Sequence, residues 1–239
     1  VQVVPSPTWQ ADAWKLIDKS NSRLVDESGE AGRQYLAARG ISRGSIFMHL
    51  LGFAVISKRP TIVIPWLDIG DVVTAVKYRF IEELASQNKG KRFSMMAGSM
   101  PYLFGLQHIL SSDKTLLFVE GELNAISVLQ TLPRGVSVVS AGADTNGNAA
   151  LIRTLASKYS RVIVWTDDPE KARTIRERMN RPEARLLKSP VIEGVKYDAN
   201  QMLQAGLLME FISAELATEC QGVPVDTTIT AHMGTMVAA

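Results

Sequence analysis

Cysteine occurs once in the 239 residues, at Cys220, so neither an internal disulfide nor a cysteine-rich zinc site can form within the chain. Histidine is nearly as scarce. His49, His108 and His232 lie far apart without metal-ligand spacing, and each is expected to be a surface or half-buried side chain rather than a ligand. No apolar run approaches the ~20 residues of a membrane-spanning helix, and no basic start followed by an apolar core marks a secretory signal. A cytoplasmic location with no membrane partner is the resulting expectation. Neither sign of charge is in excess: 26 Lys and Arg against 24 Asp and Glu leave a net charge of +2, so any surface for a polyanion must be local. The Gly-x-Ser-x-Gly elbow of serine hydrolases is missing, and so is the Gly-x-x-x-x-Gly-Lys-Ser/Thr phosphate loop of a helicase motor.

With 46% hydrophobic residues, the chain can bury a substantial core, and its texture changes along its length. Residues 1–52 read as helical. Thr8 is placed to cap a helix carrying Trp9, Ala13, Leu16 and Ile17 at three- and four-residue spacing; Gly29 to Arg39 is a second helix closed by Gly40; Ser42 caps a third that stops at Gly52. Residues 53–112 read as a small α+β unit, with a hairpin of Thr61–Leu67 and Val72–Phe80 and a further short strand at Arg92–Met95. From 113 to 218, apolar runs of strand length alternate with helical periods: strands at Leu116–Val119, Ser137–Ser140, Arg161–Trp165 and Ala184–Leu187 are separated by crossover helices. This is the pattern of a parallel α/β sheet. Residues 219–239 show no sustained period and read as a flexible tail.

Ligands of an open parallel sheet gather at the carboxyl ends of its strands, and here those ends are acidic. The first strand runs into Glu120-Gly121-Glu122, the third into Asp167-Asp168, and Asp198-Ala199-Asn200 opens a late helix. Carboxylates gathered at one edge repel unless a cation holds them, and oxygen-only ligands suit Mg²⁺ or Mn²⁺. Glu120 is the candidate for the pivotal carboxylate, with Asp168 and Asp198 as metal ligands and Asp167 beside them. The competing reading is that each acid merely caps the helix that follows it.

Glu120-Gly121-Glu122-Leu123-Asn124-Ala125 resembles the Glu-Gly-x-x-Asp-Ala opening of the Toprim domain shared by bacterial-type primases, phage primase-helicases and topoisomerases. Asp168 is similar to the second acid of that family's Asp-x-Asp motif. Lys196 to Gly206 resembles the Lys-Asp-Ala-Asn-Asp-Leu-Leu-x-x-Gly segment of the primase branch, and Tyr35 to Ser42 resembles the Tyr-Leu-x-x-Arg-Gly-Ile/Leu-Ser segment that leads into the primase core. The resemblance covers most of residues 33–206. It implies a Toprim sheet preceded by a smaller basic subdomain. It also implies a DNA primase, a nucleotidyltransferase that makes primers on a single-stranded DNA template from nucleoside triphosphates with Mg²⁺ or Mn²⁺, partnered by a replicative helicase in a chromosome, phage or mobile element. Two positions depart from the pattern: Asn124 and Thr166 stand where the family has Asp, with Glu122 and Asp167 adjacent as candidate substitutes. The Cys/His spacing of a primase zinc module is not found in these residues.

Lys77 and Arg79, on one face of a predicted strand, and Lys91 and Arg92 after it form the candidate nucleic-acid and nucleotide surface, with Tyr78 or Phe93 to stack on bases. A charge-protected edge strand is the plain alternative. Arg173, Arg176, Arg178, Arg181 and Arg185 read as the outer face of a crossover helix. Two further functions share these features: a Toprim-type nuclease, and a catalytically degenerate module that binds single strands or replication partners.

Overall fold

The computed structural model describes residues 4–81, 92–132, 135–141 and 149–218. Lys91, His232 and the predicted tail lie outside them. The chain opens with α1 (Pro7–Val25), whose N-cap is Ser6 rather than Thr8: the Ser6 hydroxyl accepts from Trp9 N at 3.3 Å, and Pro7 starts the helix where its missing N–H costs nothing. Helices α2 (Glu30–Ala38) and α3 (Arg43–Met48) follow. Ser42 caps α3 as its sequence predicts, accepting from Ser45 N at 3.1 Å.

An antiparallel sheet of four strands comes next, ordered β1 (Gly52–Ile56), β2 (Arg59–Leu67), β3 (Val73–Phe80) and β4 (Phe93–Met95). Strand β1 is absent from the sequence expectation, which used Gly52 as a helix stop. Gly52 is instead where α1 crosses the sheet: a Cβ there would lie 2.1 Å from Ser20 Oγ and 2.7 Å from the Ser20 carbonyl carbon. Only glycine permits that approach. On the α1 side, Ala13 and Ile17 pack with Ala54, Val63, Val73, Val76 and Tyr78. Tyr78 is therefore a core residue, and it is not available to stack on a base.

The parallel sheet has the order β6-β5-β7-β8, with β5 (Thr115–Val119) and β7 (Arg161–Trp165) at its centre, β6 (Val136–Ser140) on one side and β8 (Arg185–Leu187) on the other. Helices α4 (Glu122–Leu129), α5 (Ala149–Ala156) and α6 (Pro169–Met179) connect them. These elements match the sequence expectation closely, because each strand is an apolar run buried on both faces. Leu117, Val119, Ile163 and Trp165 face one cluster, and Leu116, Phe118, Val162 and Val164 face the other, as a period of two requires. The first cluster also contains Ile62, Ile64 and Trp66 of β2 and Phe104, so one buried core spans both sheets. A short hairpin, β9 (Val191–Ile192) and β10 (Val195–Lys196), leads to α7 (Ala199–Gln204) and α8 (Leu208–Ala217).

Two histidines that look unrelated in sequence meet here. His49 is 1% exposed, and its Nδ1 lies 2.9 Å from His108 Nε2. Burial, with His108 beside it, lowers the His49 pKa from 6.5 to about 3, and burial also lowers that of His108 against the opposing pull of Asp71. The folded state therefore holds His49 neutral while the unfolded chain takes up protons below about pH 6.5. Stability is complete above that pH and falls with it toward pH 3. Between pH 7.5 and 5.5, urea unfolding is expected to show a loss of about 1.4 kcal/mol from His49 alone that disappears in His49→Leu. Equal losses in the two proteins would refute the assignment.

Candidate active site

Strand order reverses across the sheet: the β5–α4–β6 crossover runs one way and β6–α5–β7 returns past β5. The crevice outside the carboxyl ends of β5 and β7 is thus a topological switch point, where side chains from two loops can face one ligand. Val119 and Trp165 are register partners at those ends, and Glu120 and Asp167 follow them within two residues. A small cleft lies there, lined by Val119, Glu120, Asn124, Trp165, Asp167, Asp198 and Ala199. Gly121, at φ 81°, turns the chain from β5 into α4 in a conformation that disfavours other residues.

Three of the four predicted acidic residues reach this cleft, and the fourth does not. The Glu120 carboxylate accepts from Lys171 Nζ at 2.8 Å through one oxygen and from Asp167 N at 3.3 Å through the other. The Asp167 carboxylate accepts from Ser189 Oγ at 2.8 Å, and Ser189 in turn accepts from Trp165 Nε1 at 2.9 Å. Lys196 Nζ donates to the Asp167 carbonyl. Asp198 both lines the cleft and closes a capping box on α7, accepting from Gln201 N at 2.7 Å while its own N–H donates to Gln201 Oε1 at 2.9 Å. Asp168 caps α6, where it accepts from Glu170 N at 2.9 Å, and does not line the cleft, whereas its neighbour Asp167 does.

The two positions that depart from the Toprim pattern are occupied by structural hydrogen bonds. Thr166 is 5% exposed, and its hydroxyl donates to the Asp168 carbonyl at 2.8 Å. Asn124 donates to the Glu120 carbonyl at 2.7 Å and accepts from Asn200 N at 2.8 Å. Asn200, 2% exposed, continues the network to the Arg39 carbonyl at 2.8 Å and Ser127 Oγ at 2.9 Å. The Asn124 and Asn200 amides thereby tie the β5–α4 loop to α7 and to the end of α2. Glu122, one candidate substitute, does not reach the cleft. It is buried and paired with Lys77 Nζ at 2.6 Å, the two side chains being 4% and 7% exposed.

That pairing changes the reading of the basic surface. Lys77 and Arg79 do share a face of β3, and both lie over the Phe93 ring, at 4.7 Å and 5.1 Å from its centroid. Lys77 is nevertheless buried and committed to Glu122, so it joins the antiparallel sheet to α4 rather than facing solvent. Arg79 is half-buried and donates to the Tyr35 hydroxyl, while Arg92 is exposed. Part of the later arginine group is structural as well: Arg181 donates to the Ala156 and Tyr159 carbonyls at 2.7 and 3.0 Å, and Arg185 pairs with the Glu215 carboxylate. Lys171 was not singled out by sequence. The available signal was its place three residues after the Asp168 cap, in the first turn of α6.

Among the described residues no three His, Cys, Asp or Glu side chains converge closely enough to cage an ion. The donors lining the cleft are nonetheless three carboxylates and no sulfur or imidazole, a set whose chemistry fits a hard divalent cation. Lys171 stands against one of them as a cation of the chain's own.

No protein-family model and no curated protein matches the sequence. Solved structures do match the fold. The zinc-binding and RNA polymerase domains of the Aquifex aeolicus primase align with a TM-score of 0.63 at 18% identity, over 84% of this chain and 58% of that one. The chain thus spans little more than half the length of that two-domain chain. A DnaG primase catalytic domain bound to single-stranded DNA gives 0.64 at 17%, over 87% and 80%. The RNA polymerase domain of Mycobacterium tuberculosis DnaG gives 0.62 at 15%, over 89% and 88%. The order of the two sheets, the acidic edge of the parallel one and these alignments agree: the chain has the Toprim-containing fold of the DnaG-type primase catalytic core.

Proposed function

We propose that this chain is a primase catalytic core that synthesises primers on single-stranded DNA from nucleoside triphosphates. The observation that carries the reading is that Glu120, Asp167 and Asp198 all line one cleft at the switch point of a primase-type sheet. Those three carboxylates would hold Mg²⁺ or Mn²⁺, which supplies charge neutralisation on the transferring phosphate. The protein's own contribution is placement. The Asn124–Asn200 amides fix the β5–α4 loop, the buried Lys77–Glu122 pair fixes that loop's helix against the antiparallel sheet, and Ser189 orients Asp167. Arg79 and Arg92, with Lys91, would neutralise template phosphates, and half-buried Phe93 offers a stacking face. The DnaG catalytic domain bound to single-stranded DNA supports this choice of template. A replicative helicase is the fitting partner, and the cytoplasm the fitting location.

A second reading is favoured by a specific observation. Asn124 and Thr166 carry no charge and are engaged in structural hydrogen bonds, which suits a module that binds single strands without synthesis. Incubation with single-stranded DNA, labelled nucleotides and Mg²⁺ or Mn²⁺ separates the two on a denaturing gel. Short products that vanish in Glu120→Gln are expected. DNA binding without product, in either metal, would transfer the assignment to the binding module.

A further inference from the structure

Lys171 sits on α6 with its Nζ 2.8 Å from Glu120 Oε1, and the two side chains are 19% and 33% exposed. It pairs with the carboxylate on which the proposed function turns, and it comes from a different element than any of the cleft's acids. The surroundings are balanced around it. Glu120, Asp167 and Asp198 line the cleft, and Lys171 is directed at a carboxylate side chain, whereas Lys196 is directed at the Asp167 backbone carbonyl. The ammonium makes the contact that an incoming metal would need. The pair is open enough to water to exchange, and a partly exposed ion pair is weak enough to be displaced.

We propose that Lys171 is a tethered counter-ion that competes with the divalent metal for Glu120, holding the cleft closed to metal until the cation displaces it. The inference rests on the metal-dependent reading of the cleft and assigns it an internal competitor. The competition is thermodynamic: whatever binding energy Lys171 contributes to Glu120 is subtracted from that of the metal. Lys171→Met keeps the length and apolar stem of the side chain and removes only the charge, so the carboxylate is left uncompensated and more attractive to a cation.

The test measures metal binding without nucleotide or template, by electron paramagnetic resonance of free Mn²⁺ titrated with the purified chain. Lys171→Met is expected to bind Mn²⁺ about fivefold more tightly than the wild type, the equivalent of removing one partly exposed ion pair. Lys171→Arg should bind as weakly as the wild type, and Glu120→Gln added to Lys171→Met should abolish the gain. Superimposable thermal unfolding curves verify that each variant is folded. Equal or weaker Mn²⁺ binding by Lys171→Met, or no binding by either protein, overturns the inference. Primer synthesis by the wild type alongside that result would leave the functional reading standing, whereas the fivefold gain without any primer synthesis would leave the inference standing and remove the functional reading.

Discussion

Lys77→Met is expected to destabilise the protein by about 3–5 kcal/mol, the cost of leaving a buried charge without its partner. In a chain of this size that is a fall in melting temperature of about 6–20 °C. The size of the effect follows from geometry. Lys77 Nζ and Glu122 Oε1 are 2.6 Å apart with almost no access to water, and Lys77 also lies 4.7 Å from the Phe93 centroid and 5.8 Å from that of Trp66. Methionine fills much of the same space but leaves the Glu122 carboxylate to be desolvated alone at the first turn of α4. Adding Glu122→Gln removes that charge, and most of the loss should then be recovered. Thermal or urea unfolding of the two single variants and the double variant measures the coupling directly. A single-variant cost below about 1 kcal/mol would mean the pair is solvated, as an exposed ion pair is.

The same pair marks the limit of what the sequence could reveal. Alternation correctly placed Lys77 and Arg79 on one face of a strand, but a period of two cannot distinguish a face turned to solvent from one turned to a second sheet. Lys77 proved to face inward, toward α4, because the antiparallel and parallel sheets with their helices share a core through Trp66, Phe104 and Leu117. The parallel sheet itself was legible to within a residue or two, since strands buried on both faces stand out as apolar runs. Strand β1 was missed because Gly52 carries two meanings: a helix stop in sequence, and a site of backbone approach against Ser20 in three dimensions. The carboxyl-end rule located the acidic edge, but it could not choose between adjacent residues. Asp167 and Asp168 differ by one position, and the turn into α6 decides which enters the cleft and which caps the helix. The His49–His108 contact was beyond reach, because it joins α3 to the turn before β5 across 59 residues of sequence.

That choice between neighbours gives the second large effect. Asp167→Asn removes a cleft carboxylate held in place by Ser189 and is expected to cost at least about 100-fold in primer synthesis, the scale of losing one preorganised group that stabilises transition-state charge. Asp168→Asn changes a helix cap into another good helix cap and should leave both stability and synthesis within a few-fold of the wild type. The two substitutions are adjacent and chemically identical, so a general loss of acidity at this edge cannot account for a difference between them.

The most direct test of the account is therefore the rate of primer formation on single-stranded DNA for the wild type, Asp167→Asn and Asp168→Asn, measured side by side in Mg²⁺ and in Mn²⁺. The proposed function predicts an active wild type, an active Asp168→Asn and an Asp167→Asn reduced by two orders of magnitude or more. An active Asp167→Asn beside an inactive Asp168→Asn would contradict it, placing the reacting cleft on the other side of the loop.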